Sequence, residues 1–176
     1  MGKNSRIYIE SCPFIDLAKY KAKLSLANAR ENDVWHITKL LAAGRNGEID
    51  VFTSIITVAE CTHVEGGKPQ PALDIQEFYS ELLTSGRGGV TLVQATLGIV
   101  ELSRQLRWKD GLHLTGLDSI HLATAIHMGC QEIITTDGKI SKCAESLQAR
   151  ISIIQASATK LLPPKYNVRE LEGLNE

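Results

Sequence analysis

Long hydrophobic runs, paired cysteines and an excess of charge of either sign are all missing from this 176-residue chain. No apolar stretch approaches the roughly 20 residues needed to span a bilayer, so no membrane partner is expected. The opening MGKNSRIYIESC lacks the apolar core of a secretory leader. The four cysteines, Cys12, Cys61, Cys130 and Cys143, include no C-x-x-C pair. That spacing argues against a zinc site or a disulfide framework and for reduced thiols in a cytoplasm. Lysine and arginine number 19 against 20 for aspartate and glutamate, which excludes a strongly basic nucleic-acid footprint but leaves room for a local patch.

What is present is the composition of an ordinary globular protein, 43% hydrophobic and 22% charged, long enough for one sizeable core. Five short β-branched runs punctuate it: RIYIE (6–10), IDVFTS (49–54), VTLVQ (90–94), QEIITTD (131–137) and ISIIQ (151–155). Between them lie helical patterns at 12–20, across much of 19–48, and at 54–64, 72–86, 95–107, 117–128 and 138–149. Gly44 and Gly47 close the second helix, and Gly66-Gly67 marks a break after the third. Strands alternating with helices predict an α/β fold, a three-layer α/β/α arrangement around a parallel sheet of four to five strands. A single domain is expected over 1–156, followed by a polar, loosely attached tail at 157–176.

In such sheets ligands bind beyond the carboxyl ends of the strands. Glu10 and Asp137 close two strands, Glu60 lies about two turns into the helix after IDVFTS, and Asp118 falls in the first turn of its helix. Right-handed crossovers bring all four to one edge. Each also has an ordinary explanation. Asp118 suits the positive end of a helix, Asp137 precedes Gly138 as a turn or cap, and Glu10 can be an exposed strand end. Glu60 is harder to dismiss, because SIITVAEC is otherwise apolar and an unpaired carboxylate there is costly. Several clustered carboxylates call for a divalent cation or raised pKa values, and an all-oxygen set suits Mg²⁺ or Mn²⁺.

The block LDSIHLATAIHMGCQEIITTD resembles the D-x-x-h-x-A-x-A-x-x-x-G segment, followed by T-x-D, of the PIN-domain ribonucleases, a family that includes the VapC-like toxins of toxin–antitoxin pairs. IYIESCPFID and FTSIITVAECTHV are similar to its first strand and its second acid-bearing helix. The resemblance implies that Glu10, Glu60, Asp118 and Asp137 form an acidic quartet that holds Mg²⁺ or Mn²⁺ and carries catalysis. It implies that Ser11 and Thr135 orient those carboxylates, and that the activity is hydrolysis of RNA phosphodiester bonds. It further implies an RNA substrate, an antitoxin protein as partner where the chain is a toxin, and a homodimer. Two positions depart from the family: Glu10 stands where Asp is usual, one methylene longer, and Cys12 where a small polar residue is usual. These departures raise the alternative of a catalytically weak PIN-fold module that binds RNA or protein. A response-regulator-like protein is a third alternative, but no lysine partner for a phosphorylated acid stands out.

His121, three residues after Asp118, shares its helix face and reads either as a substrate contact or as a packed helix histidine. The other histidines, His36, His63, His113 and His127, read as structural or exposed. GRGG (86–89) has phosphate-cradle composition but precedes a strand instead of joining a strand to a helix. Arg104, Arg107, Trp108 and Lys109 read as a solvated helix end or a small RNA-facing patch.

Overall fold

The computed structural model describes residues 4–26, 30–64 and 70–167. The Gly66-Gly67 break and residues 168–176 of the tail lie outside these. Five strands, β1 (Ser5–Ile9), β2 (Ile49–Ser54), β3 (Thr91–Val93), β4 (Glu132–Ile134) and β5 (Ser152–Ile154), form one sheet in the order β3-β2-β1-β4-β5. All four pairings are parallel, with Tyr8 opposite Phe52 on one side and Ile133 on the other. This is the three-layer α/β/α fold expected from the strand–helix alternation, with β1 at its centre.

The pleat sorts side chains to the two faces. Ile7, Ile9 and Ile134 face a core built with α1 (Ser11–Lys21), α2 (Arg30–Arg45) and α4 (Leu73–Tyr79). Tyr8, Phe52 and Ile133 face a second core that takes in α5 (Leu97–Trp108) and α6 (Gly116–His127). Full burial of each such side chain contributes about 1.5–3 kcal/mol relative to exposure. The short α3 (Ile55–Glu60) follows β2 directly, capped by the Ser54 side chain on Ile56 N–H.

Strand order reverses beside β1, because the chain runs β1-β2-β3 to one edge and then crosses to β4 on the other side. A crevice therefore opens at the carboxyl ends of β1 and β4, the place where such sheets bind ligands. Helix ends shape its surroundings. Both α2 and α6 terminate in a Schellman turn, with Gly47 (φ 69°) and Gly129 (φ 64°) in the left-handed conformation that only glycine adopts freely. Glu48 N–H reaches Ala43 O and Cys130 N–H reaches Ala125 O to close them.

Several elements differ from the sequence pattern in detail. The second helical stretch breaks at 22–26, where Lys23 takes φ 55°, and helix resumes at Arg30. The helix expected over 72–86 becomes α4 followed by a wider π turn over Ser80–Thr84. The stretch 138–149 divides into α7 (Gly138–Ser141) and α8 (Ala144–Leu147). The described part of the tail is tethered by two buried acids: Asp33 accepts from Ser157 N–H (2.8 Å), and Glu132 accepts from the Thr159 hydroxyl (2.5 Å) and Lys160 N–H (3.2 Å). Leu162 adds a buried apolar anchor.

The glycines of GRGG have a packing role. A Cβ at Gly88 would stand 1.8 Å from Leu82 O, and one at Gly89 2.3 Å from Leu41 O. The loop thus lies against the π turn and α2 at backbone contact, too close for a side chain. Gly88→Ala is expected to destabilise the fold by about 1–3 kcal/mol, lowering Tm by several degrees. Gly116→Ala, at the start of α6 with nothing within 4 Å of the added methyl, is the control and should leave Tm nearly unchanged. Differential scanning calorimetry of the two variants measures both.

Candidate metal centre

Three strand ends supply the crevice. At the end of β1, Glu10 leaves the sheet and caps α1; its backbone N–H still bonds Ile134 O (3.1 Å). The Glu10 side chain is only 3% exposed. Burying a carboxylate is costly unless donors replace water, and here three do. The Ser11 hydroxyl donates to Oε1 (2.5 Å), while Cys12 N–H and the Thr135 hydroxyl donate to Oε2 (each 3.1 Å). Thr135 in turn accepts from Asp137 N–H (3.0 Å), so the loop after β4 is locked to the loop after β1. The end of β2 is tied in by Thr53, whose hydroxyl donates to Ile9 O (2.7 Å) and meets the Thr57 hydroxyl (2.7 Å).

Glu60 closes α3, and its side chain is 24% exposed. Its Oε2 lies 2.7 Å from His121 Nε2. His121, one turn into α6, is fully buried, and its Nδ1 lies 2.7 Å from the Tyr8 hydroxyl. Tyr8, from the middle of β1, accepts from Ser54 N–H (2.9 Å) at the end of β2. A continuous chain of contacts therefore runs Ser54–Tyr8–His121–Glu60 across the sheet. Burial works against a charged Glu60, but the hydrogen bond and electrostatic pull of His121, with the Ser11 hydroxyl, outweigh it and hold the carboxyl below its ordinary range. Burial pushes the Tyr8 hydroxyl far up, so it stays neutral.

Glu10, Glu60 and His121 can each offer one ligand atom, and the three atoms lie within 4.8 Å of one another. Of the four acids expected at this edge, Glu10 and Glu60 belong to that group. Asp118 and Asp137 do not, although both are half-buried and begin elements that open on the same edge. The Asp118 carboxylate accepts from the Thr115 hydroxyl (2.6 Å), and Asp137 caps α7 by accepting from Lys139 N–H (2.5 Å). Ser11 and Thr135 both touch the Glu10 carboxylate. His121 is too deeply buried to meet a substrate directly; its partners are Tyr8 and Glu60. The Tyr8 contact has no signature in the sequence, because Tyr8 reads as one more apolar strand position. Away from this edge, the Arg104 guanidinium lies 4.5 Å from the ring centroid of the exposed Trp108 and pairs with Glu101.

A family model described as PIN domain matches residues 24–146, more than two thirds of the chain. That span contains Glu60, Asp118, His121, Thr135 and Asp137, while Glu10 and Ser11 precede it. No curated protein matches the sequence. A solved structure titled "Structure of FitAB bound to IR36 DNA fragment" is similar at 16% sequence identity and a TM-score of 0.49, over 88% of this chain and 97% of that one.

Two outcomes follow from this geometry. Thr135→Val keeps the shape but removes one donor to Glu10 and the acceptor for Asp137 N–H. Urea denaturation should show a loss of about 1–3 kcal/mol. Burial, then the negative charge of Glu10 and its hydrogen bond, push the Cys12 thiol up to about 12. A raised thiol stays protonated, and therefore unreactive, throughout the neutral range. At pH 8 iodoacetamide should label Cys12 at least about 100-fold more slowly than free cysteine, with the rate still climbing above pH 10. Mass spectrometry of the Cys12 peptide gives that rate.

Proposed function

The chain belongs to the PIN domain family, whose members are generally nucleases, and on that premise we propose that it is a metal-dependent endoribonuclease. The observation that carries the proposal is the pair of carboxylates Glu10 and Glu60, brought together from the end of β1 and the end of α3 beside the topological switch of the sheet. The donor set fits a hard divalent cation, since carboxylate oxygens suit Mg²⁺ or Mn²⁺. It also fits by count. A carboxylate has about four acceptor sites, and Glu10 uses three of them on Ser11, Cys12 and Thr135.

In this reading Glu10 and Glu60 hold the cation, with Asp118 and Asp137 completing an acidic quartet from the starts of α6 and α7. Bound there, a divalent metal supplies an activated water and neutralises phosphate charge. The chain's own part is orientation. Ser11, Cys12 N–H and Thr135 fix the Glu10 oxygens, and their burial keeps that carboxylate in one rotamer. The open, half-buried side of Glu60, Asp118 and Asp137 leaves room for an extended single strand to approach. The same reading takes single-stranded RNA as substrate, a second copy of the chain as homodimer partner, an antitoxin protein as regulator and the cytoplasm as the setting. It takes 1–156 as a single catalytic domain and 157–176 as a tail whose first residues are anchored on that domain.

A second reading has its own observation. Asp118 and Asp137 are engaged as helix-start acids outside the compact group, and Glu10 is one methylene longer than the usual Asp. That arrangement suits a catalytically weak module that binds RNA or protein.

Incubation of a single-stranded RNA with the protein and Mn²⁺ should give cleavage that EDTA abolishes. Loss of residues that merely orient metal ligands typically costs 10–100-fold, so Glu60→Gln and Asp118→Asn should each reduce the rate by at least about 100-fold. Cleavage unaffected by either substitution would sink the nuclease assignment. RNA binding without cleavage, with turnover appearing on Glu10→Asp, would establish the second reading.

A further inference from the structure

Glu60 has a carboxylate oxygen against His121, and that contact raises the question of what the histidine is for. An ionised carboxylate only accepts hydrogen bonds. The His121 nitrogen 2.7 Å from Glu60 Oε2 must therefore carry a proton, which makes it Nε2–H. On the far side of the ring, the Tyr8 hydroxyl oxygen already accepts from Ser54 N–H. Its own proton needs an acceptor, because a buried hydroxyl left without one is costly. Thr53 on β2 donates to Ile9 O and takes the Thr57 proton, which leaves one lone pair that can accept from Tyr8. His121 Nδ1, at 2.7 Å, therefore either accepts the Tyr8 proton or, when protonated, donates to the Tyr8 oxygen. In both arrangements Nε2 carries a proton toward Glu60 and has no lone pair to offer a cation.

From this we infer that His121 is the positioning residue for Glu60: it holds Oε2 through Nε2–H, is itself held by Tyr8 and the end of β2, and is not a metal ligand. The inference rests on the metal-site reading above and adds to it a three-residue device that turns Glu60 toward the cation. Full burial of Tyr8 and His121 supplies the rigidity, since neither ring has room for a second rotamer. Glu60 then becomes a ligand whose direction is set by the sheet instead of by its own flexible side chain.

The Nε2 proton is measurable in the metal-free protein. Long-range ¹⁵N–¹H correlation should show His121 with a protonated Nε2, and an unprotonated Nε2 would overturn the inference without any variant. Mn²⁺ titration followed by EPR tests the role. His121→Gln keeps an amide N–H near the Nε2 position and should stay within a few-fold of the parent affinity. His121→Asn keeps an amide near Nδ1 but falls short of Glu60, and should weaken Mn²⁺ about 10–100-fold. Tyr8→Phe should move affinity in the same direction. Pulsed EPR of the Mn²⁺-loaded parent should show no coupling to a coordinated ¹⁴N. Such a coupling, or unchanged affinity in His121→Asn, overturns the positioning role alone. Failure of the parent protein to bind Mn²⁺ overturns the metal reading together with it.

Discussion

A carboxylate buried at the end of the central strand has to be solvated by the protein, and Glu10 recruits that solvation from two places. The Ser11 hydroxyl and Cys12 N–H come from its own helix start, and the Thr135 hydroxyl comes from beyond β4. Charge-assisted hydrogen bonds of this kind are roughly twice as strong as neutral ones. They bind together loops that the sheet alone only brings near. Thr53 on Ile9 O extends the same lock to β2. Remove the charge and the reason for Ser11, Thr135 and the tight α1 start largely disappears. The geometry of the crevice is thus a consequence of satisfying one acid.

Glu60 is organised by a different principle. It sits at the end of a helix of six residues, too short to stiffen its own terminus. Its orientation comes from the opposite face, through His121 and Tyr8, whose rings belong to the second core. One acid is fixed by backbone and hydroxyl donors within the strand-end loops, the other by an aromatic–imidazole chain through the sheet's underside. The two carboxylates share the crevice and the Ser11 hydroxyl, while the rest of each support is its own.

Much of the fold was legible in the residues because the inner strands β1, β2 and β4 are largely buried, and such apolar runs stand out between helical periodicities. Element ends were less so. The break at Lys23 and the π turn after Tyr79 arise from packing against neighbours, which local pattern does not encode. GRGG shows the same limit: its composition fits an anion cradle, while its glycines are demanded by the backbone of Leu82 and Leu41 lying within contact distance. At the candidate site, Glu10, Ser11 and Thr135 could be foreseen from strand-end position and family resemblance. The part of Tyr8 could not, because its hydroxyl partners lie 46 and 113 residues away in sequence. His121 was visible only as a histidine on the face of Asp118; that it turns inward to Glu60 is a tertiary fact.

The bond between Thr135 and Glu10 joins residues 125 apart in the chain. At about 5–20 residues per second of synthesis, Glu10 exists for roughly 6–25 s before its last donor is made. Within that interval β1 can pair with β2 once Ser54 is made, but has no β4 beside it. The crevice is therefore absent from the nascent chain until Thr135 has been translated, and its assembly follows the pairing of β1 with β2.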